Sequence, residues 1–133
     1  MGTIAIDSSA LLAILLHEAD AQHMLTVIGK AEPLLLSAVT YMETGIVWDN
    51  QANIRTNPDD LEQLMSLVKA EVVPVDMGMA QAARATYSRY GKGRHPAGLN
   101  MGDCFAYALA KGYGVPLLYK GKDFAKTDIV RAK

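Results

Sequence analysis

Residues 3–7 read TIAID, a short apolar run that contains β-branched side chains and ends on a carboxylate. Such a run predicts a buried strand. Ser8 or Ser9 is placed to cap the helix expected over residues 10–16. Three later apolar runs also predict strands, at residues 33–36, 71–75 and 115–119. Pro74 in the third run predicts an edge strand or a strand end.

Helical patterns separate these four strands. They lie over residues 20–28, 41–48, 61–68, 77–90 and 101–111. Gly112 and Gly114 are expected to stop the last of them. Strands without polar alternation that are separated by helices predict a parallel sheet covered on both faces, which is an α/β fold in three layers. Ligands of such sheets bind at the carboxyl ends of the strands.

Acidic residues stand at the expected carboxyl edge of the sheet, namely Asp7, Glu43, Asp103 and Asp123. Parallel strands bring their ends together, so carboxylates that are distant in sequence converge there. Crowded carboxylates repel each other unless a cation lies among them. Oxygen ligands without a Cys or His pattern favour Mg²⁺ or Mn²⁺ over zinc. The set predicts phosphoryl chemistry assisted by such an ion.

Each acidic residue also has a purely structural interpretation. Asp7 is placed to cap a helix, and Glu43 taken alone is typical of a solvated helix residue. Asp103 has the spacing of a capping partner for the residue three before it. Asp123 and Asp128 are common turn formers. Only the joint placement of the carboxylates favours a functional site.

The chain has 133 residues in ordinary globular proportions, which predicts one domain over residues 1–133. No apolar stretch reaches the ~20 residues of a membrane-spanning helix, and no secretory pattern stands at the start. Cys104 is the only cysteine, so we expect a protein of the reducing cytoplasm with no membrane partner. The net charge of −1 shows no basic excess, so nucleic-acid binding would depend on local charge.

Three segments of the chain resemble the PIN-domain ribonucleases, and within them the VapC-type toxins. Residues 6–13 (IDSSALLA) resemble the opening of the family. Residues 99–110 (LNMGDCFAYALA) resemble the helix that carries its third acidic residue. Residues 116–124 (PLLYKGKDF) and 127–129 (TDI) resemble its closing segment. The likeness runs from about Ile4 to Ile129, and its last third is the most specific part.

The resemblance implies a PIN fold and an endoribonuclease that cleaves single-stranded RNA with Mg²⁺ or Mn²⁺. The expected products carry 5′-phosphate and 3′-hydroxyl ends. The resemblance also implies the toxin of a toxin–antitoxin pair, with a VapB-like antitoxin as its partner and a toxin homodimer. Asp7, Glu43 and Asp103 match the metal ligands of the family.

The fourth acidic position departs from the pattern of the family. Many relatives carry a carboxylate one or two residues before the Asp-Phe pair, where this chain has Lys122 and Gly121. The fourth role therefore falls to Asp123, with Asp128 as the alternative. The missing carboxylate leaves open whether one or two metal ions bind. Ser8 or Ser9 would help to orient a ligand if neither caps the helix.

Basic residues in two segments are candidates for a positive rim that grips RNA phosphates: Lys92, Arg94, His95, Lys120, Lys122 and Lys126. Solvated loop side chains are the alternative interpretation. Apolar residues on the helix after the second strand are candidates for one wall of a groove that binds the antitoxin: Val39, Met42, Ile46 and Val47. An Arg or Lys of the antitoxin would pair with the acidic residues.

Two other functions compete with the nuclease. A PIN-like module that binds RNA or protein without catalysis would be expected to lack one of the three core acidic residues, and all three are present. A phosphatase on a doubly wound sheet wants a second Asp two residues after its nucleophilic Asp, and position 9 is serine. The sequence therefore favours a metal-dependent endoribonuclease.

Overall fold

The computed structural model describes residues 2–133, and Met1 of the predicted domain lies outside the described residues. A four-stranded sheet forms the centre, and all its neighbouring strands run parallel, as predicted. The strands are β1 (Gly2–Ile6), β2 (Ala31–Ser37), β3 (Ala70–Val73) and β4 (Leu117–Leu118). The strand order is β3-β2-β1-β4, so β1 and β2 are central and β3 and β4 are edges.

Within the described residues, six α-helices surround the sheet: α1 (Ser8–Leu15), α2 (Ala21–Ile28), α3 (Ala38–Asp49), α4 (Asp59–Leu67), α5 (Met77–Tyr90) and α6 (Met101–Tyr113). The prediction that Gly112 stops α6 is wrong, because an exposed helical glycine costs only about 1 kcal/mol. Gly114 ends α6 instead, with a left-handed φ of 65° that glycine adopts freely. Within residues 2–133 no helix is long and apolar enough to cross a membrane.

The side chains of the central strands alternate between two hydrophobic cores. Ala5 and Leu35 pack on one side of the sheet with buried residues of α5 and α6. Ile6 and Leu36 pack on the other side with buried residues of α1, α2 and α4. Both faces are apolar because both are covered, and removal of this surface from water stabilises the fold. The predicted three layers are therefore confirmed.

The edge strands differ in extent from the prediction. β4 is limited to two residues, because the Val115 amide donates to the carbonyl of Ala110 at the end of α6 and Pro116 has no N–H. On the outer side of β4, the Leu117 amide donates to the Val130 carbonyl at 2.9 Å. The C-terminal segment thus covers this edge. β3 ends one residue before Pro74, at the strand end that the proline predicts.

Candidate active site

Asp7 follows β1 at the carboxyl edge of the sheet and is 2% exposed. Its backbone amide donates to the Leu118 carbonyl at 2.9 Å, which fixes it between β1 and β4. Its Oδ2 caps α1 by accepting from the amide of Ser9 at 3.0 Å and from the Ser9 hydroxyl at 2.7 Å. The prediction that Ser8 or Ser9 caps α1 is therefore wrong, because the carboxylate of Asp7 accepts from the Ser9 amide instead.

Only one oxygen of Asp7 takes part in this cap. Oδ1 is also buried and accepts no hydrogen bond from any of residues 2–133. Burial raises the pKa of this carboxyl first, Glu43 raises it further, and the hydrogen bonds from Ser9 oppose the shift. A buried carboxylate oxygen without a partner is costly, so it marks a place where a positive group would be stabilised.

Glu43 lies on α3, near enough to Asp7 to raise the pKa of its carboxyl. Its side chain is half-buried, and its Oε1 accepts a 2.8 Å hydrogen bond from the hydroxyl of Ser8. Ser8 is therefore not a helix cap but a contact between α1 and α3. Ser37 precedes α3 and caps it, because its hydroxyl oxygen accepts from the Val39 amide at 3.1 Å.

Asp103 lies in the first turn of α6 and forms the expected capping pair with Asn100. The Asn100 amide donates to Asp103 Oδ2 at 3.0 Å, and the Asp103 amide donates to Asn100 Oδ1 at 2.9 Å. The pKa of Asp103 is raised to about 7, with burial as the largest cause and the nearby carboxylates of Asp7, Glu43 and Asp123 as further causes. The hydrogen bond from the Asn100 amide opposes the shift. The structural and the electrostatic interpretations of Asp103 therefore hold together.

Asp123 and Asp128 differ in their surroundings. Asp123 is exposed, yet near enough to raise the pKa of Asp103. Asp128 instead accepts from the Tyr107 hydroxyl and from Lys111 Nζ, the latter at 3.1 Å. The bond from Tyr107 is the largest cause that lowers the pKa of Asp128, and Lys111 adds to it. Asp123 is therefore grouped with Asp7, Glu43 and Asp103, and these four residues are termed the acidic cluster. Asp128 binds Tyr107 and Lys111 instead.

The donor set of this cluster fits a hard divalent cation. Its ligands would be carboxylate oxygens, which Mg²⁺ and Mn²⁺ prefer, and Asp7 Oδ1 is a buried acceptor without a partner. Among residues 2–133 no three His, Cys, Asp or Glu side chains are already gathered in a metal-holding arrangement. One oxygen of each core carboxylate accepts a hydrogen bond: Glu43 from Ser8, Asp7 from Ser9 and Asp103 from Asn100. Cys104 is 2% exposed in the hydrophobic core, as expected of a packing residue.

Comparison with known proteins identifies the family. The sequence profile of the PIN domain matches residues 4–130. Ribonuclease VapC from Mycolicibacterium smegmatis is 44% identical over 126 residues, which cover 95% of this chain and 97% of that protein. Ribonuclease VapC30 from Mycobacterium tuberculosis is 43% identical over 126 residues, which cover 95% of each chain. The chain belongs to the VapC group of the PIN-domain family.

Solved structures share the fold of this PIN domain. VapC20 from Mycobacterium tuberculosis, described as a Sarcin-Ricin loop cleaving toxin, matches with a TM-score of 0.76 and 16% identity, covering 98% of this chain and 99% of that one. DNA-bound VapBC from Salmonella typhimurium matches with a TM-score of 0.63 and 16% identity, covering 100% and 98%. These likenesses show the fold alone.

The six basic residues of the predicted rim differ in their surroundings in this PIN domain. Lys120 Nζ forms ion pairs with Glu18 at 2.6 Å and Asp20 at 3.6 Å, so it is not free to grip RNA as expected. The His95 ring packs edge-on against Tyr90, and its Nδ1 accepts from the Ala97 amide. The other four members of the predicted rim are exposed: Lys92, Arg94, Lys122 and Lys126. Sequence reasoning missed the partners of Lys120 because they lie about a hundred positions away.

Proposed function

We propose that this PIN domain is an endoribonuclease that depends on Mg²⁺ or Mn²⁺, and that it is the toxin of a VapBC-type pair. The observation that carries the proposal is the unpartnered Oδ1 of Asp7, together with neighbouring carboxylates that raise the pKa of Asp7 and of Asp103. Without a cation, such an arrangement has an unfavourable free energy. Binding of a divalent cation, as the proposed function requires, would reduce this cost. The names of the relatives, which are ribonucleases, support the same substrate class.

Asp7, Glu43 and Asp103 would hold the ion, with Asp123 at the exposed rim of the cluster. When bound, such an ion offsets the charge of a phosphodiester and activates water for attack on it. Ser9 keeps the carboxylate of Asp7 in one rotamer through the 2.7 Å bond to Oδ2. The Lys120 amide holds Ser9 in turn, by donating to its hydroxyl oxygen at 2.9 Å. This chain of bonds fixes Oδ2 and would leave Oδ1 available to the ion.

RNA phosphates would approach the acidic cluster beside the exposed side chains of Lys122 and Lys126. Both flank Asp123 in the segment that follows β4. Their positive charge offsets the repulsion between the phosphates and the carboxylates. Local positive charge is needed here because the net charge of the chain is −1. The binding would therefore weaken as the salt concentration rises.

A VapB-like antitoxin is the proposed partner. Two solved structures with the same fold are described as a toxin–antitoxin complex from Klebsiella pneumoniae and as DNA-bound VapBC from Salmonella typhimurium. On this chain, Met42 and Ile46 of α3 are 63% and 52% exposed. Apolar side chains this exposed favour a covering partner, and they lie on the helix that also carries Glu43. A homodimer of the toxin is proposed on the resemblance alone.

A cleavage assay with the purified full chain tests the nuclease. We expect cleavage of a structured RNA set with Mg²⁺ or Mn²⁺ and none in EDTA, while Ca²⁺ binds without turnover because its coordination is longer and looser. Cleavage that persists in EDTA would exclude the metal-dependent function. Binding of RNA without cleavage under every metal condition would support the non-catalytic binding module instead.

A further inference from the structure

The carboxylate of Glu43 lies between a hydroxyl and a glycine. On one side Ser8 Oγ donates to Oε1 at 2.8 Å. On the other side Gly102, in the first turn of α6, faces the end of the side chain. A Cβ atom at position 102 would stand 2.5 Å from Cδ and 2.7 Å from Oε1 of Glu43, and it would also collide with Oε2. Atoms do not approach this closely, so the carboxylate occupies space that only glycine leaves open.

We propose that Gly102 and Ser8 are positioning residues for Glu43: the Ser8 hydroxyl holds one carboxylate oxygen, and the missing side chain of Gly102 leaves room for the other. The inference rests on the proposed function, since it names the residues that aim Glu43 at the acidic cluster. Gly102 is adjacent in sequence to Asp103. The same turn of α6 therefore supplies one acidic residue and makes space for another.

The place where Glu43 is held is also electrostatically favourable. The first turn of a helix has backbone N–H groups without partners inside the helix, and these carry a partial positive charge. In α6 the Asn100 side chain caps only the Asp103 amide. A carboxylate packed against Gly102 lies beside this charge, which offsets part of its repulsion from Asp7 and Asp103.

Gly102→Ala separates positioning from folding. The atoms in the way of the new methyl group belong to the end of a flexible side chain, so Glu43 can swing aside while the backbone stays in place. Alanine also favours the helix over glycine. Gly112→Ala is the matched control, because Gly112 is exposed in the same helix and an added Cβ meets nothing within 4 Å. Both variants should melt at or above the temperature of the unmodified chain in EDTA.

The test measures Mn²⁺ affinity by titration calorimetry and the position of Glu43 by crystallography. We expect Gly102→Ala to bind Mn²⁺ about 10- to 100-fold more weakly, as for other residues that support a ligand, and Gly112→Ala to bind it unchanged. In the Gly102→Ala crystal the Glu43 carboxylate should have left Ser8 Oγ. In a Glu43→Ala background, Gly102→Ala should have no further effect on affinity. Equal affinity of the two glycine variants would overturn the inference.

Ser8→Ala supplies a second test that adds no atoms. It should also weaken Mn²⁺ binding, without effect in the Glu43→Ala background. If Gly102→Ala fails to fold, Ser8→Ala decides, and unchanged affinity there would overturn the inference. A wild-type chain that neither binds Mn²⁺ nor cleaves RNA would contradict the proposed function. The crystal position of Glu43 in Gly102→Ala would still decide whether these residues position it, and a Glu43 that keeps its bond to Ser8 would refute this.

Discussion

The hydroxyl of Ser9 donates a 2.7 Å hydrogen bond to Oδ2 of Asp7, and the other carboxylate oxygen remains buried without a partner. The two oxygens therefore have different roles. Oδ2 caps α1 and belongs to the fold, whereas Oδ1 has no hydrogen-bond partner among residues 2–133. Asp7 therefore contributes to the stability of α1 through one oxygen and to the candidate site through the other.

Asp7→Asn should abolish cleavage and leave the fold intact. The amide oxygen can still accept from Ser9, but the negative charge is lost. We expect cleavage to fall by more than about a hundredfold, beyond the loss typical of residues that only support a ligand. The melting temperature in EDTA should stay the same or rise, because burial already raises the pKa of Asp7 and disfavours its ionised form.

Asp128→Asn is the control for Asp7→Asn. Its carboxylate accepts from Tyr107 and Lys111, and its pKa is lowered, so its ionised form stabilises the fold. This variant should melt lower and still cleave RNA. An Asp7→Asn protein that melts much lower but still cleaves would mean that Asp7 is only structural.

The stability of the metal-free protein should fall as the pH rises toward neutrality. The pKa of Asp103 is raised to about 7 in the fold, against 3.8 ordinarily. Between these values the unfolded chain has lost a proton that the folded chain keeps, so a rise in pH favours unfolding. This contribution is fully present below pH 3.8 and is lost as the pH passes about 7. The raised pKa of Asp7 acts in the same direction.

Asp103→Asn isolates this effect. The asparagine oxygen can still accept from the Asn100 amide, so the capping pair survives while the titrating group is removed. In urea unfolding with EDTA, the variant should gain stability relative to the unmodified chain as the pH rises from 4 to 8. A stability difference between the two proteins that is constant over this range would contradict the prediction.

Glu43→Gln should reduce cleavage far more than Asp49→Asn. The two carboxylates lie six positions apart on α3, and only Glu43 contacts Ser8 and raises the pKa of Asp7 and Asp103. Asp49 is exposed at the end of the helix. Rates of RNA cleavage with saturating Mg²⁺ decide the comparison. Similar losses in both variants would argue that α3 does not contribute to the site through Glu43.

The fold could be predicted from the sequence wherever a local rule decides an element. The apolar runs at residues 33–36 and 115–119 identify strands, and Asp76 caps α5 by accepting from the Met79 amide, as a residue before a helical pattern should. The start of β4 could not be predicted in this way. The amide of Val115 is taken by α6, and this competition appears only when the helix is packed on the sheet.

The candidate site could likewise be predicted only in part from the sequence. Strands of a parallel sheet end at one edge, and the helix that leads into the next strand begins at that edge, so Asp7 and Asp103 could be predicted to lie at the same edge. Contacts between side chains that are distant in sequence could not. The bond from Ser8 to Glu43 spans 35 positions and depends on how α1 lies against α3. The ion pair of Lys120 with Glu18 spans 102 positions.

Lys122 should contribute to RNA binding through charge. In a catalytically inactive Asp7→Asn background, Lys122→Gln should reduce the slope of log affinity against log salt by about 0.7, the value for one phosphate contact on a single strand. Lys30→Gln is the control, because Lys30 is exposed just before β2, at the opposite end of the sheet. Fluorescence anisotropy with a labelled RNA measures both slopes, and equal slopes would remove Lys122 from the rim.

We expect the gene adjacent to that of this chain to encode the proposed antitoxin. Inhibition by its product should depend on the exposed apolar side of α3. We expect this product to copurify with the chain and to lose inhibition when its C-terminal tail is removed. An Arg or Lys in that tail would pair with Asp7, Glu43 or Asp103, but an exposed ion pair contributes only ~0–1 kcal/mol. Most of the affinity must therefore come from burial of apolar side chains.

Ile46→Asp tests this division between charge and apolar contact. Burial of an isoleucine side chain is worth roughly 1.5–3 kcal/mol, so binding of the partner should weaken about 10- to 100-fold. Cleavage should be retained, because Ile46 lies 52% exposed and points away from the core. Val130→Asp, at a residue 68% exposed in the C-terminal segment, is the control and should keep both properties. If Ile46→Asp is still inhibited fully, or if no partner copurifies with the wild-type chain, the antitoxin proposal fails and the nuclease proposal stands alone.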